Sequence, residues 1–404
     1  MPRPTTILWV AILASIVADL VIKPGDYIHW TQLRLFRPLL MLSGVIAASY
    51  QWRRQPRLLV RVRFAVLLLL AALTSGLIIH SAPQPFIDVW HVLGSGAEAL
   101  VRGENPFRLE YRNIYGSAEG YSKDYIGSDG TSVRGYAYLP VPLFLSVPPV
   151  ILLHDVRWLM LACVLGSAWA IRKMGHGSLE GELAAVFFLF QPRAFFLLEQ
   201  SWTEPMVFGL FSLTLLAASR WCTHEAEPTQ GGWVATGLAG GVFAGVKQYS
   251  PILLLPLFLA LPRRGRVKAA ALAVGVAVAL ILPFLLWDAD AFFYSFTGNQ
   301  KLPFRPDALS WLAGIAALGG PRLPFWPSFL FAMATLGATL QRRVSMPQAT
   351  TVAGASLLVL LLSHKQAFCN YYWLVGSLLS VSVALHGARL RSEGATKKEW
   401  APGG

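Results

Sequence analysis

Long apolar runs, each close to the length of a membrane-crossing helix and separated by short arginine-rich turns, recur along almost the whole chain. This pattern leaves few folds open. A bilayer core takes about 20 mainly apolar residues per helix. No water is present there to satisfy a free backbone, so such runs become helices. Twelve candidate spans follow, at 6–22, 36–50, 63–80, 155–172, 181–199, 203–221, 232–249, 251–262, 268–286, 324–341, 347–363 and 370–388. Two shorter pieces, 138–153 and 309–319, are rich in Pro or Gly and read as re-entrant or interfacial helices. Only 14% of the chain is charged, against about 25% in a soluble domain. The expected fold is therefore all-α, a polytopic transmembrane bundle of about 12 spans forming one domain over 1–404.

The net charge of +13 does not point to nucleic acid, because the cations stand in clusters between apolar runs. Positive residues concentrate in cytoplasmic turns. The segment QWRRQPRLLVRVR, with Arg53, Arg54, Arg57, Arg61 and Arg63, reads as a cytoplasmic connection. Counting spans from it places Arg172/Lys173, Arg220, Arg263/Arg264/Arg266/Lys268, Arg342/Arg343 and Arg389/Arg391/Lys397/Lys398 on the same side, provided that 138–153 does not cross. Both termini are then cytoplasmic, with a tail at 389–404, in a plasma membrane. The first apolar run leads into Lys23 and Pro24 without an A-x-A site, so it is expected to be retained rather than cleaved. Three segments fall on the outer face: a large loop at 81–137, a second at 287–307 and a turn at 363–371. Loops this long are often functional. The chain contains no Walker loop, dinucleotide fingerprint, H-E-x-x-H or Cys/His zinc set. Its three cysteines show neither metal spacing nor a disulfide framework.

Five segments carry the polar chemistry. In PFIDVWHVLGSGAEALVRGENPF (85–107), Val89, Leu93, Ala97 and Leu100 recur at helical spacing, with His91, Ser95, Glu98 and Arg102 on other faces. This predicts an amphipathic helix on the membrane surface. Asp88 opens it, either as an N-cap or as a general base for an acceptor hydroxyl. Gly103, Asn105 and Pro106 form a turn. In YAYLPVPLF (136–144), Pro140 and Pro142 break any long helix, and Tyr136 and Tyr138 are candidates to line a sugar or lipid site. In the third segment, Arg193, Glu199, Gln200 and Glu204 lie near the outer ends of adjacent spans. Ionisable groups at that depth suggest function; the structural alternative is an ion pair of Arg193 with Glu199 or Glu204. In the fourth, Lys247 and Gln248 lie between a glycine-rich helix and Pro251. Lys247 either neutralises a phosphate or snorkels to the interface. In the fifth, His364, Lys365, Asn370 and Tyr371 gather between two spans, as a phosphate-holding group or as an interfacial anchor.

Taken in order, these motifs resemble the GT-C superfamily of membrane glycosyltransferases, and most closely the bacterial polyprenol-phosphate-mannose-dependent α-mannosyltransferases. The likeness runs from about 85 to 375. Asp88 opens a surface helix closed by Gly103, Asn105, Pro106 and Phe107. Tyr138, Leu139 and Pro140 follow, then Glu199, Gln200 and Glu204, then Gly245, Val246 and Lys247 before Pro251. The matching Asp commonly follows the first span and here follows the third. The resemblance implies a polyprenyl-phosphate sugar donor, with mannose favoured, a glycan or glycolipid acceptor, and inverting transfer on the outer face. Asp88 would be the base. Lys247, His364, Lys365 and Arg193, with Arg305 further off, would balance the leaving phosphate. Some members of the superfamily use a divalent metal, but no ligand set stands out here and none is assigned. A transporter or flippase for a lipid-linked or amphiphilic substrate is the alternative, as is a related enzyme such as an O-antigen ligase or polymerase.

Overall fold

The computed structural model describes residues 4–52, 54–114, 132–223, 230–301, 307–321, 324, 326–340, 344–364 and 366–399. The described chain is all-α apart from one short ribbon. It runs α1 (Pro4–Val21), α2 (Phe36–Ala48), α3 (Arg57–Ser81) and α4 (Asp88–Val101), then strands β1 (Glu110–Arg112) and β2 (Ser132–Arg134). There follow α5 (Pro140–Leu153), α6 (Arg157–Met174), α7 (Leu179–Phe190), α8 (Ala194–Glu199) and α9 (Glu204–Thr223). The rest comprises α10 (Gln230–Ala244), α11 (Ser250–Ala260), α12 (Arg263–Trp287), α13 (Ala289–Lys301), α14 (Trp311–Ala317), α15 (Trp326–Leu340), α16 (Met346–Leu362) and α17 (Cys369–Glu399). The strands pair antiparallel, with Tyr111 opposite Val133.

The described residues of the twelve apolar stretches are mainly helical. Among the described residues, five helices are long and apolar enough to cross a membrane alone: Pro4–Val21, Arg57–Ser81, Glu204–Cys222, Arg263–Trp287 and Cys369–Ser392. α5 and α6 meet the same test only as a pair, bent by 115°. Apolar side chains cover outer faces as well as inner ones. Leu69, Leu73, Val267, Val274 and Leu286 are all exposed, which suits helices surrounded by lipid rather than water.

Local chemistry explains where helices stop. The stretch 181–199, expected as one span, is broken into α7 and α8. Pro192 disfavours a helical residue before it, so Gln191 is extended, and Arg193 then turns left-handed at φ 71°. Pro140 starts α5 instead of breaking it, because the first turn needs no N–H donor. The arginines at 57, 61 and 63, expected in a connection, are already helical in α3. Residues 289–301 of the second outer loop form α13, and α17 continues into the predicted tail as far as Glu399. α14 has seven residues, about 10 Å of helix, too short to span.

Three helices carry cations near one end and lead to a candidate site residue at the other. α3 begins at Arg57–Arg63 and ends at Ser81, ahead of Asp88; α9 begins at Glu204 and carries Arg220 in its last turn; α17 begins with Cys369 and Asn370 and reaches Arg389/Arg391. α6 carries Arg172/Lys173 in its last turn, with Arg157 as its first residue. The cationic ends meet. Glu182 takes Arg63 at 2.9 Å and Arg172 at 3.3 Å, and Arg391 Nη1 donates to the His176 carbonyl at 3.1 Å. The 25 residues of α3 separate the two ends by about 37 Å.

α10 and α12 pack through glycine. A Cβ at Gly241 would lie 2.5 Å from Val276 Cβ and 2.6 Å from the Ala273 carbonyl oxygen. Gly241→Leu is therefore expected to force the two helices apart and to cost about 1–3 kcal/mol. Thermal unfolding in nanodiscs checks this, and an unchanged midpoint would rule out the close contact.

Candidate functional site

The site is built at the end remote from the arginine clusters. Glu204, the first residue of α9, is fully buried. Its Oε1 accepts from Lys247 Nζ at 2.5 Å and from the Tyr249 hydroxyl at 3.3 Å, and its Oε2 accepts from Asn370 Nδ2 at 2.7 Å. Lys247 is caged by three rings, those of Tyr138, Tyr249 and Tyr371, at 5.7, 5.6 and 5.2 Å from their centroids. One carboxylate thus draws together α9, the α10–α11 turn and the start of α17. The internal ion pair expected as the structural alternative does form at Glu204, but its partner is Lys247 instead of Arg193, and Lys247 is buried in that pair instead of reaching to an interface.

Glycine permits this arrangement. The Val141 N–H donates to the Gly245 carbonyl at 3.1 Å, joining the start of α5 to the end of α10. A Cβ on Gly245 would stand 2.7 Å from Val141 Cγ2. Lys247 is thereby held against the Tyr138 turn.

Asp88 is half-buried at the start of α4, whose N-cap is Ile87. The Asp88 carboxylate accepts the neighbouring Val89 N–H at 2.8 Å. Burial first, then the carboxylates of Asp88 and Glu204, hold the Tyr138 phenol well above its ordinary range. Both the candidate base and the buried pair thus act electrostatically on Tyr138. The stripe of α4 expected to meet lipid packs inside the protein instead: Leu93 and Ala97 are buried in a cluster with Tyr111, Tyr136 and Leu143, with Val89 and Leu100 against it. His91, on another face of α4, is held below its ordinary range by burial and then by Arg112.

The remaining sequence candidates divide. Tyr136 belongs to the core, edge-on to Phe107. Asn105 Oδ1 accepts the Phe107 N–H at 3.0 Å, which makes it a turn residue. Gln200 donates to Glu199 at 2.6 Å, and Glu199 also accepts the Tyr27 N–H at 2.6 Å, so both are engaged within the protein. Gln248 reaches the Ala137 carbonyl at 3.4 Å. His364 Nδ1 accepts the Gln366 N–H. Arg193 is half-buried, stacks on Phe196 at 4.7 Å, and among the described residues forms no ion pair. Cys369 lies within electrostatic reach of both Arg193 and Glu204. Arg305 and Lys365 lie outside the described residues.

Three features escaped sequence reasoning. Asp19, an acid inside an apolar run, is buried, and Arg193 acts on it electrostatically. Its presence in α1 was the signal available. Arg157 is fully buried, donating to Asp155 at 2.5 Å and to the Ala82 carbonyl at 2.6 Å, and so fastens the α5–α6 corner to the end of α3. Tyr27 meets Phe86, two residues before Asp88, but nothing local in the sequence marks it.

Among the described residues no three His, Cys, Asp or Glu side chains converge as a metal site, and no step is assigned to one. Compared with known proteins, the chain matches no family profile, and no curated protein matches it significantly.

Proposed function

We propose that this chain is a GT-C-type glycosyltransferase with about 12 spans, moving a sugar, mannose favoured, from a polyprenyl-phosphate donor to a glycan or glycolipid acceptor at the outer face of the plasma membrane. One observation carries the reading: a half-buried carboxylate, Asp88, acts electrostatically on Tyr138, whose ring covers Lys247 of the buried Glu204–Lys247–Asn370 network, at the end of the bundle opposite the arginine clusters. With those clusters cytoplasmic, the site faces outward and both termini face inward. A lipid-borne donor reaches such a site without leaving the bilayer.

In the reaction, Asp88 takes the proton of an acceptor hydroxyl. The acceptor oxygen forms its bond to the anomeric carbon as the bond to the phosphate oxygen breaks, inverting that carbon, and the phosphate leaves with the electron pair. A cation fixed beside the leaving oxygen lowers the barrier. Lys247 is matched by Glu204, so Arg193 is the better counter-charge, and Lys247 with Asn370 sets the polar floor. Glu204 serves mainly to hold those two groups in place.

The test is transfer of radiolabel from polyprenyl-phosphate mannose by membranes containing the protein, against membranes lacking it. Label appearing in a glycan or glycolipid only with the protein supports the reading. Protein-dependent movement of intact donor across the bilayer without cleavage would replace it with the flippase alternative.

A further inference from the structure

The segment between α1 and α2 is fastened over the same end of the molecule. Its Tyr27 N–H donates to Glu199 Oε1 at 2.6 Å. The His29 N–H donates to the Ser81 carbonyl at 2.7 Å, at the end of α3. Gly25 presses so closely on Glu199 that a Cβ would stand 2.6 Å from its Cγ. Glu199 itself is fully buried. Placing a carboxylate there is costly unless its oxygens are matched, and here they are matched by a surface loop and Gln200.

This fastening sets an aromatic face beside the candidate base. The Tyr27 ring meets Phe86 edge-to-face, with centroids 6.4 Å apart and planes at 68°. Phe86 is 48% exposed and stands two residues before Asp88. Asp26 lies exposed on the same loop, paired at 3.3 Å with the equally exposed Lys23. Burial and then the charges of Glu199, Asp26 and Asp88 push the Tyr27 phenol upward.

We propose that the exposed Phe86 ring, braced edge-to-face by Tyr27, is the face on which the acceptor sugar ring stacks, with Asp26 accepting one of its hydroxyls and Glu199 acting as the positioning residue that holds the loop. The assignment rests on the glycosyltransferase reading above. A sugar ring presents C–H groups to aromatic faces and hydroxyls to carboxylates, and this rim offers both. An interfacial lipid anchor is the other role for exposed aromatics. It fits less well, because the flanking Asp26 and Asp88 would repel anionic headgroups and resist entering hydrocarbon.

The test is equilibrium binding of radiolabelled methyl α-mannobioside to the full chain in phosphatidylcholine nanodiscs, without donor. Tyr27→Ala and Phe86→Ala are each expected to weaken binding about tenfold, the equivalent of one aromatic contact. Tyr27→Phe keeps the ring and should bind within about twofold of wild type. Glu199→Ala should behave like Tyr27→Ala, and Glu199→Gln, which still offers an oxygen to the Tyr27 N–H, should recover most of the binding. No retention by the wild-type protein, or equal retention by Tyr27→Ala and Phe86→Ala, overturns the assignment and leaves the two rings as an anchor. Because binding is read without turnover, a protein that transfers sugar yet ignores these substitutions fails this inference alone. Ring-dependent binding without transfer fails the transferase reading instead.

Discussion

Asp88→Asn is expected to lower glycosyl transfer by about 10²–10⁴-fold, the usual contribution of a positioned general base, while leaving the fold intact. Asn has nearly the same shape, and its Oδ1 can still accept the Val89 N–H that the carboxylate accepts at 2.8 Å. It cannot take a proton at neutral pH. The start of α4 therefore survives, and the unfolding midpoint should stay close to wild type. Donor binding should also persist, since Arg193, Lys247 and Asn370 are untouched. Transfer rates on purified protein, paired with a thermal melt, separate the two roles that the sequence leaves open for this residue. Equal transfer by both proteins would return Asp88 to a purely helix-starting role.

Lys247→Met should produce the largest loss of stability. Glu204 is fully buried and its Oε1 takes Lys247 Nζ at 2.5 Å. Removing the cation strands the carboxylate, and breaking a buried pair in this way costs about 3–5 kcal/mol. The same principle predicts that Lys247→Met combined with Glu204→Met recovers much of the loss, since two apolar side chains can replace a buried pair almost neutrally. Denaturation of all three variants in nanodiscs forms the cycle. A Lys247→Met protein as stable as wild type would show that the pair is not needed to hold α9 to the α10–α11 turn. Transfer assays on the double variant add a second answer. Stability recovered with transfer lost places the pair at the substrate; stability and transfer both recovered makes it structural only.

The remaining substitutions probe different levels of the same architecture. Gly241→Leu tests packing between α10 and α12, about one turn before the Gly245 contact with α5. The Tyr27 and Phe86 variants test recognition at the rim of the polar end. Both concern close approaches that depend on which helix lies against which.

That distinction marks how far the sequence alone reaches. Hydropathy is a local sum over about 20 residues, so the twelve apolar stretches, their helical state and the one-ended placement of arginine were all legible before any contact was known. Breaks were partly legible: Pro251 marked the start of α11, but Pro192 inside the stretch 181–199 was read through, because composition outweighed one residue. Pairings were not legible. Glu204 stands five residues before Gly209 and close in sequence to Arg193, which made a local ion pair the natural expectation, yet its partner is Lys247, 43 residues away. Glu199, read as a substrate ligand, instead fastens Tyr27 across 172 residues. Each of these contacts depends on the rotation and depth at which two helices meet, and those are set by packing between apolar faces and by glycines such as Gly25 and Gly245 that admit close approach. The sequence by itself determined that this chain forms apolar helices with a cationic end and a polar end. Only the tertiary structure decided which polar groups meet there, because hydropathy constrains each helix singly while a site is a property of their mutual register.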